Sequence, residues 1–339
     1  MKYAEFVEAG EMKIIDRDIP KIEKDDDVII RVIRTSVCGS DLWAYTGKEE
    51  QGHDNDGHEV IGIVEDTGDA ITSVKKGDFV IAPFTHGCGH CRTCQAGYDG
   101  VCQSHDLGDN FSVGYQAQYV RFQHGQWALV KVPGKPSDYT EGMLKSLLTL
   151  ADVMATGYHA ARVANVQPGD SVIVLGDGAV GLCAIIAAKL RGAKQIISTS
   201  RHTDREALAR EFGATDNVAD RSEQGIKKLI ELTDGGADAV LECVGTELSN
   251  KEAVQVGRVG LPHGEALNLS ETFYKNMYVA GGPASVTTYD KEILLKAVLD
   301  SRINPGKVFT KTFNLNQIDQ AYKDMADRKV IKSYIKIDD

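Results

Sequence analysis

Short runs of β-branched and apolar residues, broken by glycine and charge, fill the chain up to Pro136. Val28–Ile33 and Val60–Val64 stand out. Phe79–Ile81 follows a Gly77-Asp78 pair, and Gln118–Phe122 and Ala128–Val132 precede Pro133. Runs this short between turn formers predict strands, so this region reads as mainly β. From Asp170 the pattern changes. Ser171–Leu175 predicts a buried strand, followed by a glycine turn and a helix from Ala179. Gln195–Thr199 predicts a second strand. Thr203-Asp204-Arg205-Glu206 reads as a capping box opening a helix that ends at Phe212 before Gly213. A helix near Gln224–Leu232 and a third strand over Ala237–Glu242 follow. Strands alternating with helices predict a parallel, doubly wound α/β sheet. Helices over Asp290–Leu299 and Gln317–Ala326 lead to a last strand, Ser333–Ile337, expected to rejoin the first region. No repeat or low-complexity segment is visible.

The chain has 339 residues, and at ~100–200 residues per domain this suggests two domains. Apolar residues make up 42% and charged residues 26%, which suits a globular protein rather than a disordered one. The net charge of −11 disfavours nucleic acid or an anionic membrane as partner, since both are polyanions. A small anion in a local basic pocket remains compatible with it. The apolar stretch Ala179–Leu190 is too short to span a bilayer. Met1–Lys13 carries Glu5, Glu8 and Glu11, which does not read as a signal peptide. The expected location is cytoplasmic.

The cysteines narrow the picture further. Of seven, four form Cys88-x2-Cys91-x2-Cys94-x7-Cys102. Four thiolates at this spacing can enclose one zinc tetrahedrally and leave no open position, as a structural site requires. The plainer reading is four free thiols in a loop, but spacing and an odd cysteine count favour metal. His86 and His90 lie beside them and read as solvated loop residues. Cys38-Gly39-Ser40-Asp41 and Gly57-His58-Glu59 form a second constellation. A catalytic zinc needs three protein ligands and an open position. A lone Cys or His is more often an ordinary core or surface residue, so the reading needs a third ligand from elsewhere. Asp152, at the junction of the two regions, is a candidate.

Gly176-Asp177-Gly178-Ala179-Val180-Gly181 follows a predicted strand and opens a predicted helix, the setting in which such a loop cradles a dinucleotide pyrophosphate. An NAD site usually has an acidic residue about twenty positions on. Here Ser198-Thr199-Ser200-Arg201-His202 offers none. Arg201 would attract a 2′-phosphate and Ser200 could hydrogen-bond it, so NADP(H) is expected in preference to NAD(H). The plainer reading of Arg201 is a solvated residue at a helix start.

Together these residues resemble the zinc-dependent medium-chain alcohol dehydrogenases. The matching stretches are Val37–Asp41, Gly57–Gly62, the four-cysteine lobe, Asp152–His159 and Pro168–Gly176, and the resemblance covers essentially the whole chain. It implies a GroES-like catalytic domain, residues 1–153 and 288–339, with the structural-zinc lobe at about 84–104, split around a Rossmann domain at 154–287. It also implies two zinc ions per chain. Cys38, His58 and Asp152 would hold the catalytic zinc, a Lewis acid that lowers an alcohol's pKa. Ser40 would be the proton-relay hydroxyl, and Asp41 would orient His58. Glu59 would lie behind the metal and Thr156 would line the nicotinamide. Trp43, Phe84 and Phe111 are candidates for the substrate wall. An aspartate as third ligand resembles the NADP-dependent bacterial branch, which implies a homotetramer rather than a dimer.

The chain departs from the family pattern in places. Trp43 replaces a histidine that many relatives use to pass the proton on, and indole cannot accept one. Gln118 stands where several relatives carry glutamate. The stretch from Cys243 to Pro262 is short, and only Glu252–Val256 is expected to be available for the helix found there in relatives. The activity implied is hydride transfer between a small alcohol, or its aldehyde or ketone, and NADP(H). Alternatives are an NAD(H)-linked polyol or sugar-alcohol dehydrogenase, a zinc-free quinone reductase, and a dinucleotide-binding redox sensor without turnover. The last two need not keep Cys38, His58, Asp152 and Ser40 together.

Overall fold

The computed structural model describes residues 1–50, 57–85, 87–103, 114–257, 280–281 and 288–337. The chain divides into two compact units, Met1–Asp152 with Ser285–Asp339, and Val153–Ala284.

The first unit is built on a mainly antiparallel sheet. Its strands are β3 (Val28–Ser36), β4 (Val60–Thr67), β5 (Phe79–Ala82), β6 (Tyr119–Phe122), β7 (Val130–Val132), β12 (Phe309–Asn314) and β13 (Lys332–Lys336). Their order is β12-β13-β3-β4-β5-β7, with β6 also paired to β3. The alternation read from the sequence places Val28, Ile30 and Val32 of β3 in one core with Val60 and Val64 of β4 and Val120 and Phe122 of β6. Tyr322 and Ile318, from the helix Ile318–Ala326, join this core. β13 closes against β3, Tyr334 opposite Ser36, so the end of the chain does return to the first region.

Several features of this unit differ from the sequence reading, which places no strand at β12 and no helix over Glu141–Thr149. The chain opens with a hairpin, β1 (Lys2–Glu8) and β2 (Glu11–Asp16), turning at Gly10. Its strands are half exposed, so charges interrupt the apolar run that marks a strand elsewhere. The strand expected from Ala128 begins at Val130, because Gly125–Ala128 is a helical turn led by His124 in the left-handed region at φ 53°.

The second unit holds a parallel sheet, order β10-β9-β8-β11 among the described residues, from β8 (Ser171–Leu175), β9 (Gln195–Ser198), β10 (Asp216–Asn217) and β11 (Ala239–Glu242). Val172–Val174 are fully buried, as expected of a strand covered on both faces. The strand order reverses between β8 and β11, and in such sheets ligands bind beyond the carboxyl ends at that point. The glycine loop leaves β8 there and enters the helix Ala179–Leu190.

Two helix starts correct the sequence reading. The helix Thr203–Phe212 begins after His202 and has no capping box. Glu206 instead bonds Arg210 one turn on, at 3.0 Å, and the Ser200 hydroxyl accepts from the His202 N–H at 3.2 Å. The segment after Cys243 does carry a helix, Glu247–Val256, longer than the Glu252–Val256 expected. It starts earlier because Thr246 caps it, accepting from the Ser249 N–H at 3.2 Å. No helix among the described residues is long and apolar enough to cross a membrane.

Candidate active site and metal centres

The first unit gathers two groups of metal-ligating side chains. Cys38 follows β3, His58 and Glu59 precede β4, and Asp152 follows the helix Glu141–Thr149. One ligand atom from each of these four lies within 4.8 Å of the others. The Cys38 thiol donates to Asp152 Oδ2 at 3.2 Å, and His58 Nε2 stands 3.4 Å from the same oxygen. Gly57 prepares this approach. Its φ is +81°, and a Cβ there would sit 2.5 Å from Gln116 Cγ, so only glycine lets the chain turn into His58.

Asp41 ties two of these side chains together. It opens the short helix Asp41–Tyr45. Its Oδ2 accepts from the Cys38 N–H at 2.8 Å, and its Oδ1 stands 3.3 Å from His58 Nδ1. A carboxylate on Nδ1 fixes the imidazole tautomer and presents Nε2 to a metal, as in carboxylate–histidine–zinc arrangements. Burial alone would lower the pKa of His58, yet the carboxylates of Asp41 and Asp152 and the Cys38 thiol hold it well above the usual value. Burial raises the Cys38 thiol, and Asp152 adds to that. A thiol, an imidazole and a carboxylate held around one point are the mixed donor set of a catalytic zinc, so the residues fit the ion.

Sequence reading missed Lys332. It is fully buried in β13, and its ammonium donates to Glu59 Oε1 at 2.5 Å and to the Val37 carbonyl at 2.9 Å. Burial would lower its pKa, but Glu59, Cys38 and Asp152 hold it above the ordinary value. It partly balances the acidic cluster from behind. No local signal marks it, since the pair spans 273 positions.

Ser40 caps the helix Asp41–Tyr45 without a side-chain bond to it and is exposed. Trp43, on the same helix, is 48% exposed. Phe84 is half-buried, its ring centroid 5.6 Å from that of His58. Phe111 and His86 lie outside the described residues.

The four cysteines of the second group also converge within 4.8 Å. Sulfurs at the corners of a tetrahedron with Zn–S bonds of about 2.3 Å stand about 3.8 Å apart, and Cys91 Sγ and Cys102 Sγ are 3.8 Å apart. Backbone N–H groups of Cys88 and Cys91 donate to Cys102 Sγ and Cys88 Sγ, both at 3.3 Å. The Thr93 hydroxyl and neighbouring backbone N–H groups lower the pKa of the Cys91 thiol, whereas burial raises that of Cys94. This donor set fits a structural zinc. His90 is exposed and bonds the Cys88 carbonyl.

In the second unit the glycine loop is shaped for a close ligand. A Cβ on Gly181 would meet the Gly176 carbonyl at 2.1 Å, so helix and strand pack only with glycine there. A Cβ on Gly178, the residue before the helix Ala179–Leu190, would meet nothing, so there is open space beside the helix N-terminus. Ala179 is buried, and Val180 and Thr156 are half-buried. These features fit a dinucleotide pyrophosphate. The residues that would read its ribose are arranged differently from the expectation. Arg201 is exposed, whereas Ser200 is buried and its hydroxyl donates to Asp177 Oδ2 at 2.8 Å. Arg205, passed over in the sequence, reaches the same carboxylate.

The chain matches the alcohol dehydrogenase GroES-like domain over residues 24–134 and the zinc-binding dehydrogenase family over residues 179–282. It is 32% identical to the zinc-type alcohol dehydrogenase-like protein AdhB of Bacillus subtilis, across 95% of this chain and 96% of that protein. An alcohol dehydrogenase of Cupriavidus necator is 29% identical, across 99% and 98% of the two chains. Among solved structures, zinc-dependent alcohol dehydrogenase 2 of Streptococcus pneumoniae superposes with a TM-score of 0.88 at 31% identity, covering 100% of this chain and 99% of that one. The alcohol dehydrogenase TADH of Thermus sp. ATN1 gives 0.88 at 26% identity, with both chains fully covered.

Proposed function

The chain belongs to the zinc-dependent medium-chain alcohol dehydrogenases, and from that premise we propose that it moves a hydride between a small alcohol and a nicotinamide dinucleotide, with the aldehyde or ketone as the reverse substrate. The observation that carries this reading is the convergence of Cys38, His58 and Asp152. Zinc held by these residues would supply Lewis acidity toward an alcohol oxygen, and the nicotinamide would accept the hydride.

The chain's own residues do the rest. Asp41 orients both Cys38 and His58 through its two oxygens. The exposed Ser40 hydroxyl, two positions after Cys38, takes the proton an alcohol must give up and passes it toward solvent. Trp43 cannot extend that route as a histidine would. Phe84 beside His58, with Trp43, makes an apolar wall that suits a small apolar substrate. Glu59, tied to Lys332, sets the charge behind the metal-binding face. In the second unit Thr156 lines the nicotinamide, and Gly176, Gly178, Ala179, Val180 and Gly181 hold the pyrophosphate. Arg201 supports the NADP(H) preference read from the sequence; the contacts of Ser200 weigh against it.

The test is a panel of alcohols and carbonyls followed by reduced-nicotinamide absorbance with each cofactor. Alcohol-dependent reduction that is lost on chelation and restored by zinc is the expected result. A zinc-loaded protein that turns over no member of the panel overturns the reading.

A further inference from the structure

A carboxylate stands where the adenosine ribose is read in nucleotide-binding sheets of this kind, but it does not come from the usual place. The usual acid lies at the end of the second strand, about twenty residues past the glycine loop. Here that position is Ser200, after β9. The carboxylate is Asp177, the second residue of the glycine loop itself. Its Oδ2 accepts from Ser200 Oγ at 2.8 Å. Its Oδ1 and its backbone carbonyl accept from Arg205 Nη1, at 3.3 and 3.2 Å. Both side chains are largely covered, at 15% and 11% exposure.

Hydrogen bonds from β10 hold Ser200, which in turn holds this carboxylate. Asn217 of β10 accepts from the Ser200 N–H at 2.9 Å and donates to its carbonyl at 3.0 Å. Asn217 also accepts from the Ser198 hydroxyl at 2.8 Å. The Ser200 hydroxyl accepts from the His202 N–H at 3.2 Å. Its single proton goes to the nearer, charged Asp177 rather than to the His202 carbonyl at 3.2 Å. Ser200 therefore has no proton left for a phosphate, and Arg205 is already paired. Arg201 and His202 are exposed.

We propose that Asp177 is the residue that selects the cofactor: it accepts the ribose 2′-hydroxyl and makes the site prefer NAD(H) over NADP(H). The proposal rests on the chain binding a nicotinamide dinucleotide. A hydroxyl can donate to this carboxylate and leave both its partners in place. A 2′-phosphate would bring its own negative charge against the carboxylate and compete for Ser200 and Arg205. Removing the carboxylate releases a hydroxyl and a guanidinium that, with Arg201, form a ready phosphate cradle. The discrimination against NADP(H) thus belongs to one side chain, and the residues that would bind the phosphate are present beneath it.

The experiment is calorimetric titration of the zinc-loaded protein with NADH and NADPH, without substrate. The wild type should bind NADH at least tenfold more tightly. Asp177→Ala should weaken NADH severalfold and tighten NADPH tenfold or more, inverting the order. Arg205→Ala added to Asp177→Ala should remove the NADPH gain. Asp177→Asn keeps a hydrogen-bonding group of the same size without the charge. It covers the case in which alanine disturbs the loop, and it should move the ratio in the same direction. A merely structural Asp177 would weaken both cofactors together. That result, or a wild type that binds NADPH as tightly as NADH, overturns the proposal while leaving the dehydrogenase reading intact. Binding of neither cofactor overturns both.

Discussion

Asp41 and Ser40 are neighbours with separable tasks. Asp41 touches no substrate in the proposed arrangement and acts through Cys38 and His58. Asp41→Ala should therefore weaken zinc binding about 10- to 100-fold, the range for lost partners of metal ligands. Competition with a chromogenic chelator measures this, and unchanged affinity would remove Asp41 from the orienting role. Ser40 bonds no ligand side chain, so Ser40→Ala should keep its zinc and its cofactor affinity. Its turnover should fall about 10²-fold or more, as for a lost acid–base group. Wild-type turnover in that variant, with zinc bound, would mean the proton leaves by another route. The two variants thus separate holding the metal from moving the proton.

Among the elements, the helix Glu141–Thr149 shows how a secondary-structure start is anchored to the sheet. Thr140 caps it, accepting from the Met143 N–H at 3.2 Å. Glu141, its first residue, accepts from Arg34 of β3 and from Tyr334 and Lys336 of β13, at 2.6 to 3.2 Å. Partial burial works against its charge, but these three donors lower its pKa from 4.5 to about 2. A depressed carboxylate pKa stabilises the fold above the unfolded value, and that contribution disappears as the pH falls through about 2. Glu141→Gln should destabilise the protein at neutral pH by roughly 1–2 kcal/mol, a charged hydrogen-bond value reduced for solvent exposure. Urea unfolding at neutral pH and at about pH 3 should show the gap narrowing in acid. A gap independent of pH would assign the loss to packing instead.

At the scale of the whole molecule the question is metal stoichiometry. Two donor sets of different chemistry lie in the first unit, so elemental analysis should return two zinc ions per chain. Cys94→Ser should lose one of them and lower the melting midpoint by roughly 5 °C or more, because metal binding in such a lobe is folding free energy. Cys38→Ser should lose the other, abolish turnover and leave the midpoint much closer to wild type. If a chain holding a single zinc keeps full stability and activity, one of the two assignments is wrong.

The sequence by itself determined what depends on local spacing. Apolar runs between turn residues specified β3 to β7 and β13 of the first unit and β8, β9 and β11 of the second, but not the hairpin β1–β2, β10 or β12. The cysteine spacing specified a closed four-sulfur group, and the glycine loop specified a turn from strand into helix. The cysteine group and the glycine loop are legible because their residues are close along the chain. Where helices start was less legible, as at Thr246 and His202, because a cap depends on which side chain the local backbone turns inward. The tertiary structure alone decided the partners that come from far away. Lys332 reaches Glu59 only because β13 lies against β3 in one register. Asp177 meets Ser200 and Arg205 only because β8 and β9 are neighbours, which sets the glycine loop against the start of the next helix. Ionic and hydrogen-bond partners of this kind leave no periodic trace in the chain, since their pairing depends on strand order and register rather than on spacing.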